Sequence, residues 1–105
     1  MSGSSGGSYV APQSSKFDCE TGVIITTVSS INIVVLNKYR VGVVLDVHLG
    51  KNESLILEDG DGEILGTILH PNTVDIIECI KLGSLYEAEI VFINSPSCRV
   101  KIKGK

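Results

Sequence analysis

Few residues in this chain have the types and spacings that chemistry needs. The densest cluster is Glu58-Asp59-Gly60-Asp61-Gly62-Glu63, whose alternating carboxylates have the outline of a calcium loop. Such a loop places Gly at its sixth position and a bidentate Glu at its twelfth; counted from Asp59, those positions hold Ile64 and His70. A hairpin turn accounts for the segment better, leaving at most a weak cation affinity. His48 and His70 are the only histidines, and neither has a Cys or carboxylate at metal-ligand spacing, so an exposed strand residue and a loop residue are expected. A cysteine nucleophile needs a basic partner, yet Cys79 follows Glu78, and Cys98 falls in a predicted turn beside Arg99. Glu87 and Glu89 alternate on a predicted strand and point outward, which suits solubility and edge protection rather than acid–base work. No catalytic set, metal site or cofactor site is read, and the chain is not expected to be an enzyme.

Two groups of residues are better suited to binding. Arg99, Lys101 and Lys103, with Lys105 beyond them, alternate along the last predicted strand and form a basic stripe that could follow a phosphate backbone. Glu87 and Glu89 on the neighbouring strand should cancel much of its field, and no aromatic residues interleave with it as stacking platforms. Val91 and Ile93 are expected on the outer face of the terminal hairpin, where they would meet a protein partner.

These residues need strands to position them. Val23 to Val28 is a β-branched run bounded by Gly22 and Ser29-Ser30, and reads as the first strand. The segment 31–39 is ambiguous: its β-branched residues suit a strand, while Asn32 as a cap, with Ile33, Leu36 and Tyr39 on one side, suits a short helix near 32–38. Val41 to Leu49 alternates, placing Val41, Val43, Leu45, Val47 and Leu49 on a core face. Asp59-Gly60-Asp61-Gly62 then joins Ser54–Glu58 to Glu63–Leu69 as a hairpin. Asn72 or Thr73 caps a helix over 73–82, with Val74, Ile76, Ile77 and Ile80 on its buried side and Gly83 at its C-terminal cap. A second hairpin pairs Leu85–Ile93 with Arg99–Lys103 around Asn94-Ser95-Pro96-Ser97. In the register that satisfies both faces, Phe92 meets Val100 and Ile90 meets Ile102 in the core, while Glu89, Val91 and Ile93 oppose Lys103, Lys101 and Arg99 outside. The sum is a mainly β (α+β) domain of five to six antiparallel strands, a small partly open barrel or curved sheet with one short helix.

Composition sets the outer limits. The chain has 105 residues, 43% of them hydrophobic, five aromatics without Trp, and a formal charge of −3. Residues 1–16 begin with Ser/Gly repetition and are expected to be a disordered tail or linker, leaving 17–105 as a single domain. A mild negative charge gives no global attraction to nucleic acid or anionic lipid. Cys19, Cys79 and Cys98 are odd in number and lack C-x-x-C spacing, so free structural thiols in a reducing cytosol are expected. No run approaches the ~20 apolar residues that span a bilayer, and a soluble cytoplasmic protein is expected.

From Asn52 to Ile93 the pattern resembles the second half of a HIRAN domain, a small β-barrel module often attached to helicases and nucleases. The resemblance rests on Asn52, Leu55-Ile56-Leu57, Asp61-Gly62-Glu63, Leu65-Gly66-Thr67-Ile68, the helix from Thr73, Gly83, and Tyr86-Glu87-Ala88-Glu89-Ile90. It covers about half of the chain. Thr67 stands where that family often has an aromatic residue, no Pro follows Ile68 directly, and the basic and aromatic residues of a DNA-end pocket have no counterparts. The resemblance implies a barrel fold and, as the alternative function, binding of single-stranded nucleic acid. The leading expectation is a non-catalytic accessory module that binds a protein partner.

Overall fold

The uncharged, β-branched Val23–Ser29 forms strand β1, its even-numbered residues Ile24 and Val28 turned inward. The computed structural model of the chain describes residues 17–105, and the expected tail over 1–16 lies outside the described residues. Helix α1 (Ile33–Leu36) resolves the ambiguous segment as helix. The Asn32 side chain accepts from the N–H groups of Val34 and Val35, satisfying donors that a helix start leaves without partners. Its buried side is Val35 and Leu36, with Ile33 exposed. Strands β2 (Val44–Leu49), β3 (Leu55–Glu58) and β4 (Ile64–Ile68) follow, then helix α2 (Thr73–Lys81), then β5 (Tyr86–Asn94) and β6 (Ser97–Gly104).

Around the barrel the strands run β1-β4-β3-β2-β5-β6, every pair is antiparallel, and β6 returns to β1. The expected antiparallel β domain is therefore present as a closed six-stranded barrel, which leaves no long free sheet edge. The seam is uneven. Strand β1 meets β6 over five residue pairs but meets β4 only through Val28–Ile68 and Ser29–Thr67. Leu45, Leu55, Leu57, Leu65, Ile90, Val100 and Ile102 fill the interior, and no polar or charged side chain among the described residues is buried. Full burial of such an aliphatic side chain is worth about 1.5–3 kcal/mol, so this filling is what holds the strands together.

Several expectations need correction. Val41 is exposed because β2 begins only at Val44, and Leu49 is exposed as the last residue of that strand, so the alternation carries just Leu45 and Val47 fully into the core. On α2 the buried residues are Ile76, Ile77 and Cys79, while Val74 in the first turn faces outward. Neither Asn72 nor Thr73 caps an α2 amide: Asn72 donates to Asp75, and the Thr73 hydroxyl accepts from the His70 N–H. Gly83 does close the helix with φ +107°, a conformation open to glycine.

The free-thiol reading fails for two cysteines. Cys19 and Cys79 form a disulfide with Cα atoms 5.6 Å apart, tying the segment before β1 to α2. The cytosolic placement rested in part on three free thiols and loses that part of its support. Cys98 is free and wholly buried on β6, not in the expected turn.

The terminal hairpin keeps its strands but not its register. Its turn is the two residues Ser95 and Pro96, so β6 starts at Ser97, and Ile90 faces Val100 while Ala88 faces Ile102. Relative to the expected pairing this is a shift of two residues, which preserves inside and outside along 86–90. Beyond Ile90 the ladder contains a bulge, with Val91 as the extra residue and Phe92 opposite Arg99. Alternation resumes inverted: Phe92 faces solvent, and Ile93 packs against the core opposite Cys98.

Candidate binding face

Adjacent strands in register place outward side chains in rows that cross the barrel wall. On β1, β6, β5 and β2 one row reads Ile25, Lys101, Glu89, Val44. The row below reads Val23, Lys103, Glu87, Asp46, and the row above reads Thr27, Arg99, Phe92. All three predicted basic residues thus lie in one column on β6. Glu87 and Glu89 lie in the adjacent column on β5, directly opposite Lys103 and Lys101. Cross-strand pairs of opposite charge at this distance attract, so the lysine field is locally balanced as the sequence led one to expect. Arg99 has Phe92 and Thr27 as its cross-strand neighbours and no carboxylate among them.

The face is also apolar in places where a monomer gains nothing from exposure. Val23 is 50% exposed, Ile25 53%, Val44 51% and Phe92 49%, and Val91 at the bulge borders them. Of the two residues predicted as a partner surface, Val91 lies here and Ile93 does not, since the bulge turns Ile93 inward. Phe92, Ile25 and Val44 were missed. A strand residue's face follows from alternation only until a bulge, and Ile25 and Val44 are ordinary β-formers on the solvent side of strands whose other side is core.

The remaining candidates resolve into structural roles. In the β3–β4 turn the Asp59 carboxylate accepts from the N–H groups of Asp61 and Glu63, and from the Tyr39 hydroxyl at 2.7 Å. Those bonds, the Tyr39 one first, hold the Asp59 carboxyl below the usual range. The carboxylate is committed to shaping a turn, and Lys38 pairs with Glu63 beside it. His48 is exposed on β2 with Glu58 at 3.2 Å, and His70 Nδ1 accepts from the Asn72 N–H. No group of three or more His, Cys, Asp or Glu that could hold a metal occurs among the described residues. Burial pushes the Cys98 thiol up, away from the thiolate form a nucleophile needs. At the barrel end beside the disulfide, a shallow depression of about 370 Å³ is lined by Cys19, Glu20, Ser84, Leu85, Gly104 and Lys105. Lys105 there is already engaged by Asp46 at 2.6 Å, a contact that lowers the Asp46 pKa. Among the described residues no helix is long and apolar enough to cross a membrane.

Compared with models of known protein families, with curated proteins and with solved structures, the chain finds no match in any of the three.

Proposed function

We propose that this domain is a non-catalytic binding module that engages a protein partner through the outer face of β1, β6, β5 and β2. The observation that carries this is the exposure of Val23 and Ile25 on β1, Val91 and Phe92 on β5 and Val44 on β2, set around the wall among charges of both signs. Apolar side chains on a barrel exterior, interleaved with paired charges, have the composition of a modest protein interface. The charges would orient the partner and the apolar residues supply the affinity. Closure of the barrel makes this a side-chain interface and not one built by strand addition.

A second reading has one specific observation in its favour. Phe92, expected in the core, stands half-exposed opposite Arg99, so the basic stripe does have an aromatic neighbour. A flat ring beside a guanidinium is the pairing on which a nucleic-acid base stacks while its phosphate is held. This would be the single-stranded nucleic-acid function implied by the HIRAN resemblance, placed on Phe92, Arg99 and Lys101.

The leading reading is tested by placing a photo-crosslinking residue at position 92 in the native host, with position 64 on β4 as an exposed control. Adducts with protein from position 92 and none from position 64 are expected. No protein adduct from position 92 would overturn the leading reading. For the second, amide spectra are recorded while a short single-stranded oligonucleotide is added at low and then moderate salt. Shifts confined to Phe92, Arg99 and Lys101 that fade with salt would install that reading, and silence at low salt would retire it.

A further inference from the structure

Asn52-Glu53-Ser54 is an Asn-x-Ser triplet without Pro at its middle position, the pattern an asparagine needs to accept an N-linked glycan. None of Asn32, Asn37, Asn72 and Asn94 has Ser or Thr two residues further on. The triplet lies on the connection from β2 to β3, where Lys51–Glu53 make one short 3-10 turn and all three residues are exposed. Asn52 sits at φ +58°, a left-handed backbone conformation that Asn adopts more readily than most residues. The β2–β3 ladder ends at the pair Leu49–Leu55, so a bulky group on Asn52 displaces no strand pairing.

Two observations independent of the triplet point to the same modification. The first is the Cys19–Cys79 disulfide, a bond that forms and persists in an oxidising compartment, such as the one in which N-glycans are added. The remaining thiol, Cys98, is wholly buried and has no access to a second cysteine with which to mispair there. The second is the surface beside the turn. Glu53 pairs with Lys81 at 2.7 Å, which sets the triplet against the last turn of α2, and the residues that follow α2 include Leu82 at 84% and Leu85 at 67% exposure. A glycan on Asn52 would stand next to these leucines and shield them from water, while the outer wall of β1, β6, β5 and β2 stays open to a partner. We infer that Asn52 is an N-glycosylation site, its substrate a lipid-pyrophosphate-linked oligosaccharide. In the transfer the Asn52 Nδ2 bonds to the anomeric carbon of the oligosaccharide and loses one amide proton. The anomeric C–O bond breaks, and its electron pair and that proton go with the departing lipid pyrophosphate.

The test is mass spectrometry of the protein purified from its native host, with free thiols alkylated at lysis. The peptide that contains Asn52 is expected to carry one glycan. Treatment with a peptide N-glycosidase in heavy-oxygen water should remove that glycan and leave a labelled Asp at position 52. In the same host Asn52→Gln and Ser54→Ala should each lose the glycan completely, whereas Ser54→Thr, which keeps the hydroxyl the pattern requires, should retain it. Each variant should still show a single thiol after unfolding without reductant, so that loss of the glycan is separated from failure to fold. A wild-type peptide recovered wholly unmodified overturns the inference, even with the disulfide intact. So does a glycan found on Ser54 in place of Asn52, or one that survives Ser54→Ala, or one that is lost in Ser54→Thr.

Discussion

Residue identity decides less here than position relative to one bulge. Ile90 and Phe92 are both large, apolar and two apart on the same strand, yet Ile90 is fully buried and Phe92 is half in solvent. Strict alternation would place them on one face, and the sequence offers no residue at Val91 that marks the interruption: no Gly, and no polar residue. The difference has a measurable consequence. Ile90→Ala removes packed methylenes from the core and should cost about 2–5 kcal/mol, whereas Phe92→Ala removes a side chain that packs only partly and should cost under about 1 kcal/mol. Urea unfolding of both variants checks this. Equal losses would mean that Phe92 is core and that the strict register holds. The same bulge explains why only one of the two residues expected on the outer face lies there: Val91 precedes the inversion of parity and Ile93 follows it.

At the scale of elements, the strands and α2 were legible because their signals are local. β-branched runs, the Asp-Gly turn and Gly83 each act within a few residues, and so does Asn32, whose side chain settles α1 as a helix. The link between elements was not legible. Cys19 and Cys79 are 60 residues apart, and nothing in their neighbours indicates that the segment before β1 passes beside α2. The fold brings them together by laying that segment across the end of β5, where the Tyr86 hydroxyl donates to the Cys19 carbonyl at 2.7 Å and the Phe17 ring lies 6.1 Å from that of Tyr86. Closing a loop of this length restricts the unfolded chain, an effect of about 4 kcal/mol in the chain-entropy account. Cys19→Ser/Cys79→Ser together should therefore lower the urea midpoint strongly. Thiol titration gives an independent reading: no reactive thiol in the native protein, and one, Cys98, once it is unfolded without reductant. Three thiols under those conditions would restore the unpaired reading.

The whole molecule depends on closing the barrel where its ladder is shortest. Strands β1 and β4 share two residue pairs, and Gly66 lies against Val28 and Ser29 at that seam. A methyl group on Gly66 would lie 2.6 Å from the Ser29 carbonyl oxygen and 2.7 Å from Val28 Cγ1. The first of these is backbone, so a side-chain rotation cannot relieve it. Glycine is thus required at position 66 by space and not by φ, and the Leu65-Gly66-Thr67-Ile68 motif noticed in the sequence acquires a physical reason. Gly66→Ala should push β1 away from β4 and cost about 1–3 kcal/mol, as overpacking of a closed interior does. The loss should also be localised. Amides of Val28, Ser29 and Thr67 at the seam should exchange with solvent much faster in the variant, while those of β5 and β6, joined by a long ladder, should still exchange only through global unfolding. Gly60→Ala provides the control, since a methyl group there meets nothing within 4 Å. If Gly66→Ala leaves seam exchange unchanged, β1 is held by its pairing with β6 alone, and the barrel is in effect an open sheet curled on itself.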